Sequence, residues 1–272
     1  MKKRIWNLYQ KIMKHEINAL ATIAFRDWLK LLRDKTRIFA SFIFPFIFIG
    51  VLGSSLQANL SSDVGYNFLT FVFAGVIGQT FFQSTASGII SLIEDRENDF
   101  SQEMFVSPIS RYTIIFGKIL GETLVAFTQG IAIIVFGLII GVPISIAQMI
   151  RLFPAVFFVC ILGGSFGLLV MTNLSSQRTA NQIFPFLIFP QFFLSGVFSP
   201  IKNLPLPLFL LSRISPMTYA VDLVRNMYYL GLPEYNKVVL YPATINVLVI
   251  TLLIIIFSGF GTYLFVRNER NK

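Results

Sequence analysis

The stretch IEDRENDFSQEMFVSPISRYTIIFGK, residues 93–118, is a hydrophilic segment between two long apolar runs of the chain. It carries five of the 13 acidic side chains, and four of them, Glu94, Asp95, Glu97 and Asp99, follow directly on Ile93. Carboxylates at this density are too costly to remain in a lipid environment. An apolar run that starts near residue 67 must therefore leave the membrane close to residue 93.

The composition is typical of an integral membrane protein. Of 272 residues 55% are hydrophobic and only 13% are charged, and the mean hydropathy is +0.72, whereas soluble domains carry about 25% charged residues. A bilayer core about 30 Å thick takes roughly 20 apolar residues per helix. Six stretches can supply them: 38–56, 67–93, 112–141, 152–174, 180–198 and 242–266. The sequence predicts an all-α integral membrane protein with six transmembrane helices. We expect a single transmembrane domain over 1–272, with cytoplasmic segments at 1–37 and 267–272 and the bundle at 38–266.

The basic residues are unevenly distributed along the chain. Ten of the 22 Lys and Arg precede residue 38, and three lie in the last six residues. Basic residues near span ends favour the cytoplasmic side, so six spans place both termini and the 94–111 loop inside the cell. We therefore predict a multi-pass protein of the cell membrane. The net charge of +9 follows from this topology, and we expect no nucleic acid among the partners.

The segment before the first apolar run has the pattern of an amphipathic helix. At 100° per residue its apolar side carries Ile17, Leu20, Ala21, Ala24, Phe25, Trp28, Leu31 and Leu32. Its polar side carries Asn18, Thr22, Arg26, Asp27, Lys30, Arg33, Asp34 and Arg37, and only Ile23 and Leu29 break the division. A basic amphipathic helix of this kind lies in the membrane interface. It either anchors the chain alone or also contacts a cytoplasmic partner.

The sequence offers no catalytic, metal or nucleotide site. His15 is the only histidine, no G-x-x-x-x-G-K-[ST] phosphate loop occurs, and no nucleophile, base and orienting acid can be assembled. We therefore expect a non-enzyme without cofactors, whose energy comes from an ion gradient or another polypeptide. Ion-driven carriers usually hold ionisable residues deep in the membrane. Here Glu122 stands four residues after Lys118, a spacing that predicts a local ion pair, so a partner polypeptide is favoured and an ion-coupled carrier or channel is the alternative.

The hydrophilic segment itself carries exposed apolar side chains. Residues 99–106 are predicted to form a short cytoplasmic helix with Phe100, Met104 and Phe105 grouped on it, and Pro108 turns the chain after it. A short helix with apolar anchors is a common ligand for a groove on another protein. The alternative is a solvated loop, which explains the acids but leaves the apolar residues unexplained.

Three segments resemble the permease subunits of type 2 ATP-binding-cassette exporters. The stretch EDRENDFSQEMFVSPISRYTIIFGKIL is similar to the family's coupling segment, RDWLKLLRDKTRIFASFIFPFIF to its interface helix and first span, and FPQFFLSGVFSPIKNLPLPLFLLSRISPMTYAVDLVRNMYYLG to its fifth span and following region. The similarity is closest to the drug and lipo-oligosaccharide exporter branch. The matching positions of the coupling segment are Glu94, Arg96, Phe105, Val106, Ser107, Pro108, Ser110, Arg111, Gly117 and Lys118.

This resemblance implies the partners and the site residues. Two permeases, identical or homologous, would form a dimer in membrane lipid, and cytoplasmic ATPase subunits would dock on each coupling segment and interface helix. The ATPase contacts would be Phe100, Met104, Phe105, Pro108, Arg111, Arg26 and Arg33. Short re-entrant helices would lie within 204–230. The substrate pathway would be bordered by Phe186, Phe189, Gln191, Phe192 and Phe193, whose alternative role is packing or lipid contact. The implied substrate is a hydrophobic or amphipathic molecule such as a drug or a lipid-linked or glycan-type compound.

Overall fold

The computed structural model describes residues 2–97, 109–174 and 176–270, and helix is the only regular secondary structure within these ranges. The α-helices are α1 (Lys2–Arg33), α2 (Lys35–Phe46), α3 (Ser54–Val64), α4 (Phe68–Gly88), α5 (Ser91–Glu97), α6 (Arg111–Ile139), α7 (Ile146–Met171), α8 (Gln177–Leu194), α9 (Leu206–Ile214), α10 (Pro216–Tyr229), α11 (Tyr235–Val238) and α12 (Ala243–Arg270). A π-helical segment, Ile47–Gly53, joins α2 to α3. The predicted all-α class is confirmed.

Five segments of the described chain are long and apolar enough to cross a membrane. They are Ser41–Asn59, Phe68–Asp95, Arg111–Ile139, Ile146–Met171 and Tyr235–Asn268. These segments correspond to five of the six predicted spans. The fourth begins six residues earlier than predicted because Ser145 and Gln148 form a capping box, in which each side chain bonds the other residue's backbone N–H.

The fifth predicted span, 180–198, coincides with α8, which is not among these five segments. α8 has 18 residues, opens with the polar run QRTANQ, and contains Pro185 and Pro190. It ends at Leu194, and Gly196 follows in a left-handed conformation with φ 74° that turns the chain. Its apolar part is therefore shorter than the prediction assumed, and a sixth span remains a prediction.

α4 is the central helix of the bundle and packs against α6, α7 and α10. Its contact with α7 is close because Gly163 and Gly167 face it. A Cβ at either glycine would lie 2.3 Å from a backbone oxygen of α4, that of Phe82 or Ala86. Small residues four positions apart are the usual means by which membrane helices come into backbone contact.

α1 packs along α6, and this contact changes the predicted faces of the amphipathic helix. Gly117 and Gly121 of α6 admit the backbone of α1. Asp27, predicted on the solvated side, is only 3% exposed, and Ile23, an exception to the pattern, is also buried. Phe25, predicted on the apolar side, is 53% exposed. In a membrane interface an apolar face can be covered by lipid instead of protein, so periodicity alone does not identify the protein-facing side.

Two short helices, α9 and α10, lie between α8 and α12, where the sequence predicted short helices within 204–230. Prolines begin them, because Pro205 precedes α9 and Pro216 is the first residue of α10. α10 is held by two buried charges. The Asp222 carboxylate accepts hydrogen bonds from the Leu240 and Tyr241 N–H groups at 2.7 and 2.8 Å.

The Arg225 guanidinium extends from the same helix, one turn after Asp222. It donates to the carbonyl oxygens of Gly196 and Val197 at 2.6 and 3.1 Å and lies 3.7 Å from the centre of the Phe71 ring. These bonds fasten the turn after α8 to α10 and α4. Asp222 and Arg225 therefore have structural partners, and nothing in their contacts indicates an ion path.

Candidate functional site

A buried ion cluster joins three helices near the end of the second span. Lys118 of α6 is 0% exposed, and its Nζ lies 3.1 Å from Asp27 Oδ2 of α1 and 2.5 Å from Asp95 Oδ2 of α5. It also lies 3.2 Å from Ser91 Oγ. Desolvation of an ammonium and two carboxylates is costly unless the charges are paired and hydrogen-bonded. The cluster meets this condition with one cation between two acids.

Two further basic side chains of α1 complete the cluster. Arg26 Nη2 lies 2.6 Å from Asp95 Oδ2 and 2.9 Å from Asp27 Oδ1, and Lys30 Nζ lies 3.2 Å from Asp95 Oδ1. Burial by itself lowers the pKa of the Arg26 guanidinium, but the charges of Asp27 and Asp95 outweigh it and raise this pKa above its ordinary value. Arg26 therefore stays charged at all physiological pH values. Asp95 is thus paired with three cations, Arg26 and Lys30 of α1 and Lys118 of α6.

α1 also bonds the chain on the far side of residues 98–108. The Glu16 carboxylate accepts a hydrogen bond from the Ser110 N–H at 3.1 Å and another from the Thr113 hydroxyl. Asp95 precedes this segment and Ser110 follows it, so α1 is bonded to both of its ends.

A further bond ties the same region to α8. Glu97, the last residue of α5, accepts a hydrogen bond at 3.0 Å from the N–H of Gln177, the first residue of α8. On the other side of the cluster, Trp28 of α1 donates to the Thr128 hydroxyl of α6 at 3.0 Å. The ends of α1, α5, α6 and α8 thus form one connected layer.

The residues predicted to contact an ATPase are placed as follows. Arg26 lies within the cluster, Arg33 is exposed at the last position of α1, and Arg111 is the first residue of α6, with Nη1 3.5 Å from the Val266 carbonyl oxygen of α12. Phe100, Met104, Phe105 and Pro108, together with the predicted coupling helix 99–106, lie outside the described residues. The role of all seven as ATPase contacts remains a prediction.

The residues predicted along the substrate pathway fall on two sides of α8. Phe186, Phe189 and Phe193 are exposed, Phe186 by 80%, whereas Gln191 and Phe192 are buried. The Gln191 side-chain oxygen accepts a hydrogen bond from Ser215 Oγ at 3.1 Å, at the start of α10. The three phenylalanines thus form an open aromatic face, which we call the α8 face, and Gln191 helps to hold α10.

The ion cluster is the feature that the sequence analysis missed. It had paired Lys118 with Glu122 one turn away, but the structure brings in Asp27 and Asp95 from other helices. Glu122 is buried against Gly88, where a Cβ would meet its carboxyl carbon at 2.0 Å. A signal was present in the sequence, because Lys118 stands between Gly117 and Gly121. Small residues at this spacing mark a helix contact, and a lysine on such a face requires a buried partner.

Comparison with known proteins identifies the family. Residues 18–229 match the family described as ABC-2 type transporter. A protein described as a transport permease, ycf38, of Cyanophora paradoxa is 24% identical over 216 residues, which cover 78% of this chain and 74% of that protein. A protein described as a multidrug ABC transporter permease, YbhR, of Escherichia coli K12 is 30% identical over 144 residues, 51% of this chain and 38% of its own.

The family match covers well over half of the chain, and it confirms the resemblance found in the sequence. It also confirms that the chain is a transport subunit and not an enzyme, since permeases of ABC transporters carry no catalytic domain and partner with an ATPase subunit. With five candidate membrane spans in the described part of the chain and the family match over residues 18–229, the chain belongs to the ABC-2 type transporter family as a permease subunit.

Proposed function

We propose that this chain moves a hydrophobic or amphipathic substrate out of the cytoplasm, driven by a separate ATPase that docks on residues 98–108 and on α1. The observation that carries the proposal is the ion cluster, because it fastens both of these docking elements to the spans. Asp95 lies three residues before the segment, and Asp27 lies on α1. Both bind the fully buried Lys118.

The cluster would act as a rigid connection. Closure of the ATPase domains would displace residues 98–108, and Asp95 and Glu16 would pass this displacement to α6 and α1 together. Packed helices move as rigid bodies between discrete arrangements. The second and third spans would therefore tilt as one unit when the ATPase closes.

The exporter would work as a dimer of two permeases. The α8 face exposes three phenylalanines, and Phe39 of α2 is exposed by 72%. These aromatic surfaces could contact either lipid or a second permease copy. We propose that α8 is a sixth membrane span and that it borders the substrate pathway at the dimer axis. α9 and α10 would re-enter the membrane beside it. The name of the relative YbhR supports export of drug-like molecules, as in the drug and lipo-oligosaccharide branch.

The proposed orientation places both termini and residues 98–108 in the cytoplasm of the cell. It rests on the basic residues that precede the first span and follow the last one. The same orientation puts the ion cluster at the cytoplasmic end of the second and third spans. It puts Asp222 and Arg225 of α10 toward the outer side of the membrane.

Docking is tested by the double change Phe100→Ala with Met104→Ala. If these side chains insert into a groove of the ATPase, each truncation forfeits roughly 1.5 to 3 kcal/mol of apolar burial, so association weakens by about tenfold to a hundredfold or more. Co-purified ATPase and substrate export should fall together, at equal amounts of inserted permease. Glu97→Gln is the matched control, because glutamine keeps the oxygen that accepts from the Gln177 N–H.

The experiment also separates the alternatives. Normal binding and export by the double variant would assign residues 98–108 to a solvated loop. Export that continues without the ATPase and follows an ion gradient would establish an ion-coupled carrier and overturn the proposal.

A further inference from the structure

A polar cavity of about 360 Å³ lies between the first three spans. Its walls come from α2, α4 and α6, and its polar lining residues are Ser41, Thr80, Gln83, Ser84, Ser87 and Gln129. Phe44 and Pro45 of α2 form an apolar side of the same cavity. The cavity thus combines hydrogen-bonding groups with an aromatic wall inside the membrane-spanning part of the chain.

The polar lining of α4 is a continuous stripe. Thr80, Gln83, Ser84 and Ser87 follow at helix positions i, i+3, i+4 and i+7, so they share one face of α4. The other sides of α4 pack against α6, α7 and α10, mostly with apolar side chains, although Thr70, Gln79 and Thr85 are buried there as well. Residues suited to the hydrocarbon core would be expected on this face as well. Their absence indicates that the face meets polar groups.

Three lining groups have no hydrogen bond within the part of the chain that the structure describes. One is the hydroxyl of the half-buried Ser84, and the others are the Thr80 hydroxyl and the Gln129 amide, on residues exposed by 9% and 8%. By contrast, Ser41 and Ser87 bond carbonyl oxygens of their own helices, and Gln83 lies 3.5 Å from Gln79. An unsatisfied amide or hydroxyl inside a bilayer costs several kcal/mol. Thr80 and Gln129 therefore require a polar occupant of the cavity.

The lining also determines the charge of this occupant. Among the described residues the lining contains no Asp, Glu, Lys, Arg or His, so a charged group would find no counter-ion on them, which is strongly unfavourable in a membrane. Hydroxyl and amide side chains suit hydroxyl, amide or ester groups, because each can donate as well as accept. The aromatic wall suits an attached apolar chain.

We propose that this cavity is a substrate subsite, which takes the uncharged hydrogen-bonding headgroup of an amphipathic molecule. This inference rests on the proposed export function, and it specifies the substrate class. Four residues beyond Ser87, the Ser91 hydroxyl contacts Lys118 of the ion cluster at 3.2 Å. The cavity and the ion cluster therefore contact adjacent turns of the segment that contains Ser87 and Ser91.

The test uses the permease with its ATPase in phosphatidylcholine nanodiscs and follows cysteine protection. In a Cys160→Ser background, Ser84→Cys places a thiol in the cavity, and Ile131→Cys places one on the exposed side of α6, where Ile131 is 64% exposed. The probes are 1-monodecanoylglycerol, which is uncharged, and decanoate, which carries the same chain with an anionic headgroup. The rate of reaction with N-ethylmaleimide is measured by mass spectrometry against probe concentration.

We expect monodecanoylglycerol to slow the reaction of Ser84→Cys at least fivefold in a saturable manner and to leave Ile131→Cys unchanged. Decanoate should protect neither thiol. Gln129→Leu should raise the half-protecting concentration about twofold to tenfold, the range of one lost hydrogen bond. Thr251→Val, a change on the exposed side of α12, should not move it.

Three results would overturn the inference: no protection, as in a cavity that holds only water; equal protection of both thiols; or equal protection by decanoate. An unchanged half-protecting concentration in Gln129→Leu would also exclude this cavity as the site. Co-purification of the ATPase is measured on the same preparations. Loss of co-purification counts against the proposed function, whereas intact co-purification without protection counts against the subsite alone.

Discussion

Replacement of Lys118 by Met tests the ion cluster most directly. Methionine keeps the length and the apolar stem of lysine, so the change removes the ammonium and little else. Asp27 and Asp95, each 3% exposed, then lose the cation they share. Removal of one partner from a buried ion pair costs about 3 to 5 kcal/mol. Arg26 and Lys30 still pair with Asp95, so we expect a loss near the lower limit, about 3 kcal/mol.

This loss is large enough to measure on purified permease. One kcal/mol shifts the melting temperature by roughly 2 to 4 °C in chains of about this size, so Lys118→Met should lower it by roughly 6 to 12 °C. The measurement is intrinsic fluorescence in detergent micelles. Lys202→Met is the matched control, because Lys202 is exposed and donates only to the Asn236 carbonyl oxygen.

A double-mutant cycle with Asp27→Asn separates the cluster from general damage. Residues in direct ionic contact usually couple by about 0.5 to 3 kcal/mol, so the double variant should be more stable than the sum of the two single losses implies. If Lys118→Met melts within 2 °C of Lys202→Met, roughly 1 kcal/mol or less, or if the two losses simply add, the cluster does not hold these helices together. The rigid connection proposed for export would then have no physical basis.

Two further predictions concern packing and topology. Gly167→Ala should destabilise the permease by about 1 to 3 kcal/mol, because the new Cβ would lie 2.3 Å from a carbonyl oxygen of α4, whereas Gly259→Ala meets no atom within 4 Å and should be neutral or slightly stabilising; equal melting temperatures would contradict this packing. In a Cys160→Ser background, a cysteine at Asn236 should react with impermeant maleimide in intact cells, and one at Ser101 should react only after lysis. Labelling at Ser101 from outside would reverse the orientation and remove the docking proposal.

The sequence predicted the membrane helices well where polarity changes abruptly. The second span was predicted at 67–93 and lies at Phe68–Asp95. The prediction is close because the acidic residues after Ile93 are too costly to remain in the lipid. The start of α7 was missed by six residues because the capping box at Ser145 fixes it, and hydropathy does not record capping. The fifth predicted span, 180–198, extends beyond the end of α8 at Leu194, since a hydropathy average does not record where a helix ends, and its role as a span stays a prediction.

The partners of Lys118 in the ion cluster could not be predicted from local patterns. The cluster's pairs between different helices connect residues 23 to 91 positions apart in the sequence, and hydrophobic periodicity reports only which side of a helix is polar. Periodicity therefore assigned Asp27 to solvent, although α6 covers it. The predicted pair of Lys118 with Glu122 used the one rule that sequence spacing supports. That rule gives no information on Asp27 and Asp95, which tertiary packing brings to Lys118 from other helices.

The distribution of close contacts indicates where the permease can open. α1 and α6 meet at Gly117 and Gly121, and α4 and α7 meet at Gly163 and Gly167, so these four helices are joined by backbone contact and by the ion cluster. α2 has no such constraint: only 17% of the most apolar part of the first span is buried, against 78% for the second. A displacement applied to residues 98–108 should therefore move α1, α4 and α6 together, relative to α2. The cavity lined by Thr80 and Gln129 is bounded by α2 on one side and by α4 and α6 on the other, so the motion that the ATPase would drive is one that changes the width of this cavity.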